Sequence, residues 1–97
     1  MLTRIVCLQF KQENIPSFER IFESSRERIR TFPGCKHLEL LRESGEVGIF
    51  FTYSKWESES ALENYRKSPF FKGVWSQTKA LFAAPAKAWS LYNHLDE

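Results

Sequence analysis

Val47-Gly48-Ile49-Phe50-Phe51-Thr52-Tyr53-Ser54-Lys55-Trp56 is the stretch that decides the fold. It is rich in branched and aromatic residues and reads as a strand. Side chains alternate sides along a strand, so Val47, Ile49, Phe51 and Tyr53 share one face, with Phe50 and Thr52 on the other. Both faces are apolar. Residues 2–11 behave the same way, with Ile5 and Cys7 on one side and Val6, Leu8 and Phe10 opposite. An antiparallel sheet with one wet face alternates apolar and polar residues. These strands need cover on both sides, and the chain has helices for one. The second face is therefore expected to bury against a partner, most simply a second copy of the chain.

Working outward, residues 2–11 form the first strand. Asn14 can cap a helix and Pro16 suits its first turn. Ile15, Phe18, Ile21, Phe22, Ile29 and Phe32 then recur at helical spacing up to Pro33-Gly34, which ends the helix. Residues 35–43 form the second strand. The polar turn Ser44-Gly45-Glu46 predicts a hairpin into the third strand at 47–56. Ser58 or Ser60 caps a short helix, Ser60 and Glu63 being spaced as a capping box. Pro69 opens a further helix to about Phe82, with Phe70, Phe71, Val74, Trp75, Thr78 and Leu81 on its apolar stripe. Ala83-Ala84-Pro85 breaks it, and 87–95 alternate as the fourth strand. The order β-α-β-β-α-α-β predicts an α+β, ferredoxin-like split β-α-β domain over residues 1–97, with a four-stranded antiparallel sheet and the helices on one face.

Composition removes several function classes. A net charge of +2 is too small for a nucleic-acid surface. Arg26, Arg28 and Arg30 alternate with Glu23 and Glu27 and read as a solvated helix face. Two cysteines, Cys7 and Cys35, lie in or beside apolar strands and read as reduced buried thiols. With no signal-peptide pattern and no run of about 20 apolar residues, a cytoplasmic protein away from membranes is expected. His37 and His94 lack a second ligand at metal spacing, so no metal is expected. There is no phosphate loop, dinucleotide fingerprint or serine-histidine-aspartate signature. Nine Phe and three Trp in 97 residues point to an aromatic core or an aromatic-lined cavity.

Several strings occur in a telling order: Phe32-Pro33-Gly34-Cys35, Leu38-Glu39-Leu40-Leu41-Arg42, Phe50-Phe51-Thr52-Tyr53, Trp56-Glu57-Ser58, Ala61-Leu62-Glu63, Ser68-Pro69-Phe70-Phe71-Lys72, and Lys79-Ala80-Leu81-Phe82 to Ala88-Trp89-Ser90. Together they resemble the antibiotic biosynthesis monooxygenase domain of the dimeric α/β-barrel superfamily, over nearly the whole chain. The resemblance implies pairing of two sheets in a homodimer. It also implies a chemistry drawn from a varied set: cofactor-free oxygenation of phenols, quinol oxidation or heme degradation. Four positions depart from that set. Trp75 stands at the helix position where the resemblance to the heme-degrading branch implies an iron-ligating His, and Val6 and Tyr65 stand for that branch's Asn and Trp. Phe70 stands where the quinol-oxidising branch carries His.

Cofactor-free oxygenation needs an apolar pocket with a few convergent polar groups and a base. Trp75, Phe71, Phe51, Tyr53, Trp56 and Phe70 are the candidates to bind an aromatic substrate, although Trp75 reads equally as core and Trp56 as a plug below the helix cap. Tyr65 and Asn64 are the candidate donors to a phenol or oxyanion. His37 is a candidate base if its face lines the pocket; otherwise it is an edge or dimer-face residue. The expectation is a cofactor-independent monooxygenase of a small phenol- or quinol-like aromatic, acting as a homodimer. The alternatives are a non-catalytic ligand-binding homodimer and, third, a heme-binding or heme-degrading protein.

Overall fold

In the computed structural model, which describes residues 1–95, strand β1 (Leu2–Phe10) leads through a 3-10 turn into helix α1 (Ile15–Arg30). Strands β2 (Cys35–Arg42) and β3 (Ile49–Trp56) form a hairpin. Helices α2 (Glu59–Lys67) and α3 (Pro69–Lys79) follow, and β4 (Phe82–Leu91) closes the sheet. All pairings are antiparallel, in the order β2-β3-β1-β4. The α+β, ferredoxin-like architecture read from the sequence is the one observed.

Capping groups set the helix boundaries. The Ser58 hydroxyl accepts from the Ala61 amide at 3.1 Å and starts α2. Ser60 lies inside that helix, so the Ser60–Glu63 capping box is not the device used. Ser68 both ends α2 and starts α3: its hydroxyl donates to the Tyr65 carbonyl at 2.7 Å and accepts from the Phe71 amide at 3.1 Å. Pro69 then occupies the first turn of α3, where no amide is needed.

Boundaries differ from the sequence reading in three groups. The β2–β3 connection runs over residues 43–48, and Val47 is exposed in it instead of pairing in β3. Gly48 forces this. Its φ of +96° suits glycine, and its carbonyl accepts the Phe10 amide at 2.8 Å. A Cβ there would stand 2.5 Å from the Phe10 carbonyl oxygen. We expect Gly48→Ala to cost at least about 1–2 kcal/mol, read as a lower melting temperature. Gly45→Ala in the same loop, with no positive φ, should stay within about 0.5 kcal/mol of the parent.

The second difference is that β1 ends at Phe10 and α1 at Arg30, with Phe32 packing from beyond the helix. The third is β4. It begins at Phe82, five residues before the expected start, and runs through Ala83-Ala84-Pro85. Its register against β1 shifts between Cys7↔Lys87 and Gln9↔Ala84. One residue of β1, Leu8, thus faces two of β4, Pro85 and Ala86, in a bulge. Edge strands and bulges are the places where a sheet tolerates proline. His94 lies past β4 and is exposed.

The helices cover one sheet face, which carries Leu2, Leu8 and Phe10 of β1, Leu38 and Leu40 of β2, and Phe50 and Trp56 of β3. The other face carries Ile5, Cys7, Leu41, Phe51, Tyr53 and Trp89. Its cross-strand rows read Leu41–Phe51–Cys7–Lys87 and Glu39–Tyr53–Ile5–Trp89. Leu41, Trp89 and Leu91 are 44–45% exposed, so in one chain this apolar face meets solvent.

Candidate functional site

The helix-facing core is built as two clusters. One gathers Leu2, Ile29, Trp56, Leu62 and Tyr65; the other gathers Leu8, Phe10 and Phe18. A cavity of about 370 Å³ lies where they meet, walled by members of both. That volume suits a compact aromatic ligand, since small-molecule sites span roughly 300–1,000 Å³.

A run of ring contacts frames this cavity and joins the clusters. Phe82 meets Trp75 edge-on at 5.5 Å, and Trp75 stacks on Phe71 at 5.8 Å. Phe71 meets Tyr65 edge-on at 4.9 Å, and Tyr65 stacks on Trp56 at 4.9 Å. Trp75, Phe71, Tyr65 and Trp56 all line the space. Trp56 is 1% exposed, and its indole donates to the Ser54 hydroxyl at 3.0 Å. It serves as core plug and cavity wall at once.

Other candidates lie elsewhere. Phe51 and Tyr53 project from the opposite sheet face, because their neighbours Thr52, Ser54 and Trp56 line the cavity. Phe70 packs against the first cluster with the Arg28 guanidinium 4.1 Å above its ring, and is not in the cavity wall. Asn64 is exposed on α2. His37 is on the outer face, its Nε2 2.8 Å from Glu39 Oε1 and its ring edge-on to Tyr53 at 5.9 Å. It borders a larger recess of about 630 Å³ outside α1 and β2, whose wall is mostly charged: Glu19, Glu23, Arg26, Arg30 and Lys36. That recess lacks the apolar lining a small aromatic needs.

Apart from the Tyr65 hydroxyl and the indoles, the cavity's polar groups were not among the sequence candidates. They are Arg4, Thr52, Ser54, Arg66 and Thr78. Arg4 could have been found by alternation. It follows Leu2 and precedes Val6, Leu8 and Phe10 on the helix-facing side of β1, and a charge on a buried face is the informative exception.

Tyr65 is the cavity's only phenol among the described residues. Burial raises its pKa, and nearby Cys35 raises it further. At neutral pH it is a hydrogen-bond donor and not a base. No His, Cys, Met, Asp or Glu of the described residues lines the cavity. Its wall therefore offers no ligand suited to a heme iron, since the one phenol is held protonated. Among the described residues no cluster of side chains could hold a metal ion, and no helix is long and apolar enough to cross a membrane.

Comparison with known proteins agrees with this geometry. The family model described as antibiotic biosynthesis monooxygenase matches residues 1–74. Among solved structures, an antibiotic biosynthesis monooxygenase superposes with a TM-score of 0.90 at 19% identity, covering 96% of this chain and 98% of its own. The protein Rv0793 of Mycobacterium tuberculosis gives 0.88 at 20% identity, covering 99% and 96%. A conserved protein of Methanosarcina mazei gives 0.88 at 20%, covering 94% and 91%. At these identities the likeness establishes the fold. A search of curated proteins finds no sequence match.

Proposed function

The chain belongs to the antibiotic biosynthesis monooxygenase family, and from that premise we propose that it oxygenates a small, electron-rich, phenol- or quinol-like aromatic without a cofactor. The observation that carries this reading is the aromatic-walled cavity between helices and sheet. The reaction closes without an external reductant. A ring methylene and one dioxygen molecule give a ring ketone and water. Both carbon–hydrogen bonds of the methylene break and a carbonyl forms on that carbon. One oxygen atom stays there, the other leaves as water with the two hydrogens, and the substrate supplies all four electrons. The protein's part is to hold the ring flat against Trp75 and Phe71, exclude water, and stabilise the anion that forms before oxygen attacks. Tyr65, protonated by its burial, is the donor to that anion.

The same reading makes the chain a homodimer through the outer sheet face. The apolar row formed by Leu41, Phe51 and Cys7 supports it, as does the exposed Trp89. An interface of the obligate class, roughly 2,000 Å² or more, would cover that face.

One observation favours a second reading, a dimer that binds aromatics and does no chemistry: the cavity wall holds no side-chain base among the described residues. An oxygen electrode separates the two. With hydroxylated anthrones and quinols as substrates, the oxygenase takes up oxygen with no added metal, flavin or nicotinamide. Uptake falls at least about tenfold in Trp75→Ala and in Tyr65→Phe. Silence across the panel, with aromatic ligands still raising the melting temperature, establishes the binder.

A further inference from the structure

The charged groups lining the cavity are Arg4 and Arg66, with no carboxylate among the described residues. Arg4 pairs in register with Ser54 on one side and Ser90 on the other. Its Nη1 donates to the Ser90 hydroxyl at 2.9 Å, a neutral partner. No described carboxylate forms an ion pair with it. Arg66, itself half-exposed, lines the cavity from α2 and among the described residues is paired to the half-exposed Glu63, at 3.7 Å. Among the described residues two guanidiniums thus share one carboxylate, a positive excess where the serine-flanked row of β1 meets the cavity. Burial lowers the Arg4 pKa, the Arg66 charge adds to this, and Glu63 opposes it. The opposite end of the space is apolar, walled by Leu8, Phe18 and Phe22.

A part-exposed guanidinium beside an apolar wall, sharing Glu63 with Arg66, keeps donors free for an incoming anion. It fits recognition of a carboxylate or phenolate, to which arginine presents a planar fork of donors. We propose that the ligand of this cavity is an aromatic anion, its rings packed against Phe71 and Trp75 and its ionised group held by Arg4 with Arg66 beside it. The proposal rests on the reading of this cavity as the ligand site. It also answers the missing base. A phenol bound next to Arg4 ionises more readily, and its proton can leave through the polar end without a side chain to take it.

Calorimetric titration of the whole protein with 2-naphthoate and its neutral isostere 2-naphthamide tests this. We expect the anion to bind at least about tenfold tighter, with the preference shrinking as salt is raised. Arg4→Met should weaken naphthoate about 10- to 100-fold and leave naphthamide unchanged. Arg4→Lys should keep part of the preference, and Arg66→Gln should lose a smaller part. Trp75→Ala should weaken both ligands alike. Equal affinity for the two ligands, a preference that survives Arg4→Met, or no binding of either overturns the proposal. If Arg4→Met does not fold, Arg66→Gln and the salt series decide: a preference unmoved by both overturns it. Charge-selective binding with no oxygen uptake leaves this inference standing and removes the oxygenase reading alone.

Discussion

Trp56→Ala should lower the stability of the protein by about 3–5 kcal/mol, the largest effect expected of any single truncation in this chain. Trp56 ends β3, pairs in register with Leu2 of β1 and Cys35 of β2, and stacks on Tyr65 of α2. Its removal opens a void under all four elements and leaves Ser54 without the indole donor. Domains of this size hold about 5–15 kcal/mol in total. A loss of this size shifts the melting midpoint down by at least about 12 °C, or leaves the chain unfolded. Trp56→Phe keeps most of the ring area and loses the hydrogen bond, so it should cost about 1–3 kcal/mol. Thermal and urea melts followed by circular dichroism measure both. Equal losses would mean that the indole nitrogen, and not ring burial, carries the effect.

Phe51→Glu should convert the proposed homodimer to single chains while leaving each one folded. Phe51 lies in the middle of the outer face, between Cys7 of β1 and Leu41 of β2. In a lone chain a glutamate there meets solvent. Between two packed sheets it is an unpaired buried charge, costing about 3–5 kcal/mol, and the symmetry of a homodimer imposes it twice. That amounts to a dissociation constant weaker by at least about ten-thousandfold. Light scattering at micromolar concentration should give twice 11.5 kDa for the parent and 11.5 kDa for Phe51→Glu, with unchanged far-ultraviolet dichroism. A parent that runs as a folded monomer would end the sheet-to-sheet proposal, whatever the variant does.

Alternation carried the reading of the fold, because a two-residue period is a property of the strand backbone wherever no bulge interrupts it. It separated Val6, Leu8 and Phe10 from Ile5 and Cys7, and the structure divides them in that way. It failed where a residue's local meaning depends on which strands lie beside it. Pro85 reads as a breaker, yet β4 is an edge strand with an unpaired side, so the proline sits within the strand. Gly48 reads as part of the third strand, and only its positive φ and its contact with Phe10 show why the hairpin loop is longer than three residues.

The site was legible in part, for the same reason. Trp75, Phe71, Tyr65 and Trp56 share the space that helical phase and strand parity assign them. The same rules place Phe51 and Tyr53 on the outer face, so naming them for the pocket set parity aside in favour of aromatic character. Asn64 precedes the buried Tyr65 by one position, a quarter-turn off the buried stripe, and is exposed. Arg4 was hidden by its type, since a lone arginine in a strand reads as solvated until its neighbours on the same face are seen to be Leu2 and Val6.

Isotope labelling follows the oxygen atoms themselves. The purified protein is incubated with a hydroxylated anthrone under 18O2, with no added cofactor, and the product is analysed at once by mass spectrometry. The account predicts a quinone carrying one 18O atom, with the second in water, formed at a rate that Trp75→Ala reduces. Unlabelled product, or none from a protein whose cavity still binds the substrate, would contradict it.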